Sequence, residues 1–375
     1  MSTPLPRDEF AVTQRYAYLN HAAAGALPAS SVAAIEAFAR AHADAGVLGT
    51  YPYDARMPEY RERIARFIGA SGREIATIAS TSAGANIVAR GIDWRPGDGV
   101  LLCDNEFPSN AVPWVALRAR GVDVRFLSTA VERLPPDVLR RELTSRTRVV
   151  ALSWVSYADG YRHDLAALAE IAHGAGALLC VDAIQGLGAF PLDVRAAGID
   201  ALYAGAGKWM LGLHGSGLLY VREDLIDRFV VTMPGWRSME DIWNFHDYEQ
   251  PYAPDATRFE GGTPNFVGTL ALVSAIELFE RSGPAAIERH VLALSDHLCE
   301  GLQRAGARLH SLRGPGVSSG IVTFDVLGTD SVTLGRALQR NGVVTTYGRG
   351  GIRVAPHGYN TAGEIDRLIE LVATG

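Results

Sequence analysis

Seven short apolar runs recur along residues 60–230, and helix-patterned segments such as Leu165 to His173 lie between them. The runs are Ile75–Ala79, Val100–Asp104, Val122–Leu127, Val149–Ser153, Ala177–Asp182, Ala201–Tyr203 and Gly217–Val221. A continuous apolar run of this length reads as a strand buried on both faces, and alternation with helices predicts a mainly parallel sheet covered by helices. Residues 269–306 then read as long helices with a break at Gly283-Pro284. Strands follow near Ile321–Val326 and Val343–Tyr347, and a final helix starts at Thr361. The expectation is an α/β protein with a large domain over 16–255 and a smaller α/β domain built from 1–15 and 256–375.

Charge and composition exclude several classes of partner. A net charge of −6 and a pI near 5.9 give no drive toward phosphate backbones or anionic lipid, so neither nucleic acid nor membrane is expected as a partner. Asp8 and Glu9 stand where a signal peptide would need an apolar stretch, and no apolar run approaches membrane-spanning length. The expected location is therefore cytoplasmic. Cys103, Cys180 and Cys299 lie in apolar segments without zinc-ligand spacing, which predicts reduced thiols and no metal.

The chain holds 35 basic residues, of which thirty-four are arginine and one, Lys208, is lysine. Arginine can serve wherever a surface needs positive charge. It cannot serve where a neutral amine must attack a carbonyl, because guanidinium keeps its proton.

Ligands of open α/β sheets bind beyond the carboxyl ends of the strands, which directs attention to the residues after each run. Ser80-Thr-Ser-Ala-Gly-Ala-Asn86 can hold a phosphate on free N–H groups and hydroxyls, or be an ordinary helix cap. Asp182 would put a carboxylate in the sheet's mouth, either capping a turn or meeting a partner such as a pyridinium nitrogen. Lys208 lies in the turn Ala204-Gly-Ala-Gly-Lys208-Trp-Met-Leu-Gly212. A P-loop there would need glycine at Leu202 and a hydroxyl residue at Trp209, and a dinucleotide fingerprint would need glycine at Met210. A lysine flanked by Trp209 and Met210 is instead placed to keep its amine neutral and nucleophilic.

Asp182-x-x-Gln185, the strand-end Lys208 and Arg258-Phe-Glu-Gly-Gly-Thr-Pro-Asn265 together resemble the class V aminotransferase family of fold type I pyridoxal-phosphate enzymes. This family includes cysteine desulfurases, selenocysteine lyases, kynureninase and isopenicillin N epimerase-like proteins. The resemblance runs from Tyr18-Leu-Asn-His21 to Tyr359-Asn-Thr361. It implies that Lys208 carries pyridoxal 5'-phosphate as a Schiff base, that Asp182 pairs with the ring nitrogen and that Gln185 lies near the ring hydroxyl. It further implies that Thr81, Ser82 and Ala83 form the phosphate cup and that Phe107 stacks on the ring. Thr263 would reach the phosphate of a neighbouring subunit, which makes the expected assembly a homodimer with shared active sites. Arg353 would grip the carboxylate of a small amino-acid substrate, with Asn20, His21, Tyr157 and Tyr347 on the substrate side.

The sequence also departs from that pattern. Desulfurases carry Ser-x-His before the lysine where this chain has Gly205 and Gly207, and Arg258 or the Thr81 cup is expected to compensate. Tyr157 stands where the family commonly has Asn. No cysteine follows Cys299, and the segment that carries a desulfurase's nucleophile is here Thr345–Gly350. A persulfide-forming desulfurase is therefore not expected. Transamination is the first reading, with Lys208 moving the α-proton as general base. A C–S lyase (desulfurase-like) or an epimerase is the second, and a cofactor-free binding protein on the same fold is the third.

Overall fold

The computed structural model describes residues 3–129, 134 and 136–374. Its large sheet has seven strands: β1 (Ile75–Ile78), β2 (Gly99–Cys103), β3 (Asp123–Leu127), β4 (Thr147–Ser153), β5 (Leu178–Asp182), β6 (Ala201–Gly205) and β7 (Gly217–Val221). In space they lie in the order β1-β7-β6-β5-β4-β2-β3. Only β7 runs against its neighbours, pairing antiparallel with both β1 and β6. The reversal follows from chain length. The turn carrying Lys208 returns to the sheet within a dozen residues and has no helix long enough for a crossover.

Period-two alternation sorts the strand side chains onto two buried faces. Leu101, Val150, Leu152, Leu179, Val181 and Leu202 enter one apolar cluster, while Val100, Leu102, Val149, Ala151, Cys180 and Tyr203 enter another on the opposite face. This is the arrangement that near-continuous apolar runs require. Three helices, Ala29–Ala45, Val47–Ala55 and Met57–Phe67, precede the sheet.

Helices Phe266–Ser282 and Pro284–Arg304 break at Gly283, whose φ of 80° suits glycine. A four-stranded antiparallel sheet follows, in the order Thr346–Gly348, Gly351–Val354, Val322–Val326 and Ala307–Leu309. The single strand expected over Val343–Tyr347 is divided. Val343–Val344 pairs in parallel with Ala17–Tyr18, whereas Thr346–Gly348 pairs with Gly351–Val354 in the other sheet. Several contacts tie this part of the molecule to the segments around the large sheet. Asn20 bridges to Ala355, and His357 Nε2 donates to the Trp209 carbonyl (2.9 Å) beside Lys208. Among the described residues, no helix is long and apolar enough to cross a membrane.

Candidate active site

The carboxyl ends of β1, β5 and β6 converge on a cavity of about 220 Å3 lined by Ser80, Thr81, Phe107, Asp182, Lys208 and His214, among others. Lys208 stands between fully buried neighbours, Gly207 and Trp209, and its Nζ lies 5.4 Å from the Phe107 ring centroid. The turn that presents it is held by close packing. A Cβ on Gly25 would meet the Lys208 carbonyl at 2.1 Å, and one on Gly188 would meet that of Trp209 at 2.1 Å. Buried Leu211 closes the turn at φ 54°, a conformation that costs a non-glycine residue about 1–2 kcal/mol and persists only under such constraint.

Asp182 ends β5, buried, with Oδ1 accepting from the Ile184 N–H (3.0 Å). Burial raises its pKa above the usual carboxylate range; Ile184 and the Lys208 ammonium oppose that rise, and the carboxylate of Glu106 adds to it. Lys208 is lowered, first by burial and further by the Arg353 charge, against the pull of Asp182. Both groups line the same cavity, and each charge favours the charged form of the other.

Thr81 and Ser82 open the helix Thr81–Gly91, whose N-terminus faces the cavity. Ser80 caps it by accepting from the Ala83 N–H (3.1 Å). Thr81 Oγ1 accepts from the Gly205 N–H (2.9 Å), which leaves its own proton to donate, and Ser82 Oγ donates to Ser109 (2.9 Å). Ala83 lines the adjoining cavity of about 260 Å3, and so does exposed Thr263. Phe107 is 40% exposed and meets the Tyr157 ring edge-on, with centroids 5.1 Å apart, so it borders the cavity rather than filling a core.

Arg353 is brought together with Tyr157 and Asn20. Its Nη1 donates to the Tyr157 carbonyl (2.8 Å) and its Nη2 to Thr346 Oγ1 (3.5 Å), while Thr346 donates onward to Asn20 Oδ1 (2.7 Å). Its Nε is buried without a partner among the described residues, an orphaned donor of the kind an incoming carboxylate satisfies.

Four expected residues lie elsewhere or are otherwise engaged. His21 is fully buried: Nδ1 donates to the Ala355 carbonyl (2.8 Å), so Nε2 accepts from the Tyr359 hydroxyl (2.7 Å), and neither nitrogen is left for a substrate. Tyr347 packs over Gly335 and donates to Gln339 (2.9 Å), pointing to helix Ser331–Arg340 instead of the cavity. Arg258 donates to the carbonyls of Ala253 and Ile226 and pairs with Asp227, so it does not compensate for Gly205 and Gly207. Gln185 is buried beneath the Lys208 turn, its carbonyl accepting from Trp209 Nε1 (2.9 Å) and its amide donating to Ala22 (3.0 Å).

Two residues at the site escaped the sequence reading. His214 lines the cavity from the loop before β7. Glu106 is half-buried near Asp182 and accepts from the N–H and hydroxyl of Ser153 (2.8 and 2.5 Å) and from Asn110 (2.8 Å).

These groups fit pyridoxal phosphate: one amine, a buried carboxylate in the same cavity, an aromatic ring at the wall and a helix N-terminus where the Thr81 hydroxyl keeps a proton to donate. A doubly covered, mainly parallel sheet with that cavity at its strand ends defines a fold type I pyridoxal-phosphate enzyme. Over residues 17–368 the chain matches the aminotransferase class-V family. It is 31% identical to an uncharacterized aminotransferase, YcbU, of Bacillus subtilis, over 84% of this chain and 82% of that protein. It is 30% identical to a probable cysteine desulfurase of Methanothermobacter thermautotrophicus, over 99% and 97% of the two chains. The apo cysteine desulfurase of Thermococcus onnurineus superposes with a TM-score of 0.90 at 25% identity, covering 100% of this chain and 99% of that one. The cystine C-S lyase C-DES shares the fold, with a TM-score of 0.90 at 24% identity over 97% of this chain and 99% of that one. The protein belongs to the class V aminotransferase family of pyridoxal-phosphate-dependent enzymes.

Proposed function

We propose that the protein is a lyase that breaks the C–S bond at the β-carbon of a small sulfur-containing amino acid and releases the sulfur without carrying it on a cysteine of its own. The observation that carries this reading is the state of the thiols. All three cysteines are free and buried, and burial pushes each thiol pKa up, Cys299 to about 11. A sulfur carrier needs an accessible thiolate. The relatives described as cysteine desulfurases favour sulfur-containing substrates over the transamination preferred on sequence grounds.

Arg353 would bind the α-carboxylate through its paired donors, with Tyr157 and Thr346 fixing the guanidinium plane. Pyridoxal phosphate held at Lys208 supplies an electron sink for the Cα–H bond of the bound amino acid. Lys208 would be the general base that removes the Cα proton of the bound amino acid, a role suited to its lowered pKa. Asp182 keeps negative charge at the inner end of the cavity, and Phe107 covers one side. In the net reaction one C–S bond breaks, one water is consumed, and a thiol or persulfide, pyruvate and ammonium leave. Thr263 would complete the phosphate site of a second subunit in a homodimer, and a stable, active monomer would count against that part of the reading.

Product analysis with cystine and cysteine tests the proposal. Pyruvate formed in step with released sulfur supports it. Alanine as the carbon product indicates a desulfurase, and conversion of the cofactor to its amine form without sulfur release indicates transamination.

A further inference from the structure

Pyridoxal phosphate brings a phosphate carrying close to two negative charges, which a site in a low-dielectric fold must balance. Among the described side chains that line the cavity only Lys208 and His214 can be cationic, and the Lys208 amine is taken up by the covalent link to the cofactor. The arginine expected to help, Arg258, is engaged by Ala253, Ile226 and Asp227. The helix N-terminus at Ser80–Ser82 donates hydrogen bonds, but it supplies only a fraction of a charge.

His214 reaches this cavity through a specific vacancy in the chain. A Cβ built on Gly207 would lie 2.5 Å from His214 Nδ1, 2.8 Å from Cε1 and 3.0 Å from Cγ, so the imidazole occupies the space where a side chain at position 207 would begin. The loop that delivers it is pinned on both sides. Asn265 Nδ2 donates to the Gly215 carbonyl (2.9 Å), and Ser216 Oγ donates to Leu213 (2.8 Å). Gly215 itself takes φ 82°, which lets the chain turn back into β7 directly after the histidine. We infer that His214 is the cationic ligand of the cofactor phosphate in this protein, and that the glycine at 207 is there to admit it.

The inference rests on the cofactor and is independent of the C–S cleavage reading. Cofactor-free wild type, His214→Ala, Gly207→His and the double variant Gly207→His/His214→Ala are titrated with pyridoxal phosphate and with pyridoxal, which lacks the phosphate. His214→Ala is expected to raise the pyridoxal phosphate dissociation constant by about 10- to 100-fold, the range for loss of one charge-assisted hydrogen bond, with pyridoxal binding unchanged. Gly207→His alone should bind poorly, because its Cβ meets the resident imidazole. The double variant should recover, because it returns an imidazole to the same space from the other side. Wild-type affinity for pyridoxal phosphate in His214→Ala overturns the inference. So does equal loss of both ligands, or a double variant that binds no better than His214→Ala.

Discussion

Ser153 donates twice to Glu106, from its N–H (2.8 Å) and its hydroxyl (2.5 Å), while standing in register with Asp182 on the neighbouring strand. The Glu106 carboxylate is thus tied to the strand end that presents Asp182, and its charge raises the proton affinity of Asp182. A more basic Asp182 holds a protonated ring nitrogen more firmly. Glu106→Gln should lower kcat by about tenfold, the equivalent of one pK unit of lost proton retention. The absorbance titration of the bound cofactor should shift toward lower pH in that variant. An unchanged titration would disconnect Glu106 from the site.

Asp182 itself is destabilising in the cofactor-free protein. Its folded-state pKa is raised, so its unfavourable contribution is absent below the ordinary carboxylate pKa of about 4, grows as pH rises from there to the raised value, and is full above it. Asp182→Asn should therefore make the apo protein more stable above neutral pH while removing most activity of the loaded enzyme. Denaturant midpoints of the two apo proteins at pH 5 and about pH 8.5 check the sign.

Lys208→Ala should abolish the covalent cofactor, because the sequence contains no second lysine to substitute for it. Mass spectrometry after borohydride reduction should find the adduct on Lys208 in wild type and no adduct in the variant. An adduct elsewhere, or none in wild type, would contradict the assignment.

Arg353→Lys should weaken substrate binding far more than cofactor binding. A point charge cannot reproduce the Nη1 bond to Tyr157 and also pair with a carboxylate, and the loss should be about 2–3 kcal/mol in kcat/KM. Equal affinity of the wild type for an amino acid and its decarboxylated amine would show that Arg353 does not read the carboxylate.

His21→Ala should affect folding, not substrate recognition. It strips a partner from the buried Tyr359 hydroxyl and the Ala355 carbonyl, at about 2–3 kcal/mol. Burial holds its pKa well below the ordinary value, so the native state loses stability as pH falls below about 6.5, where the unfolded chain takes up the proton. Urea midpoints should fall while KM stays within about twofold of wild type.

The sheet was legible because each buried strand needed an apolar run and each crossover a helix, and its mouth was legible because ligand groups follow strand ends. Lys208, Asp182 and Thr81 meet there for that reason, and Phe107, expected from the family resemblance alone, borders the same cavity. Tyr347 was misread because its strand has period two: Thr346 faces Arg353, which turns the next side chain to the opposite side. His21 lies one residue beyond Asn20, at the seam between the two parts of the molecule, and only tertiary packing decides which of the pair meets the substrate side. Glu106 and His214 carry no motif. The clue to His214 was the absence of any side chain at Gly207, which has meaning only once the returning loop is seen to fill that space.

The account turns on sulfur leaving without a cysteine carrier. The most direct measurement is turnover of cystine by a variant with Cys103, Cys180 and Cys299 all replaced by alanine, alongside the three single variants, each first shown to bind the cofactor. Pyruvate and sulfur release that persist in step at near wild-type rates are the predicted result. Loss of sulfur release on removing any one cysteine, with cofactor still bound, or alanine in place of pyruvate, would contradict it.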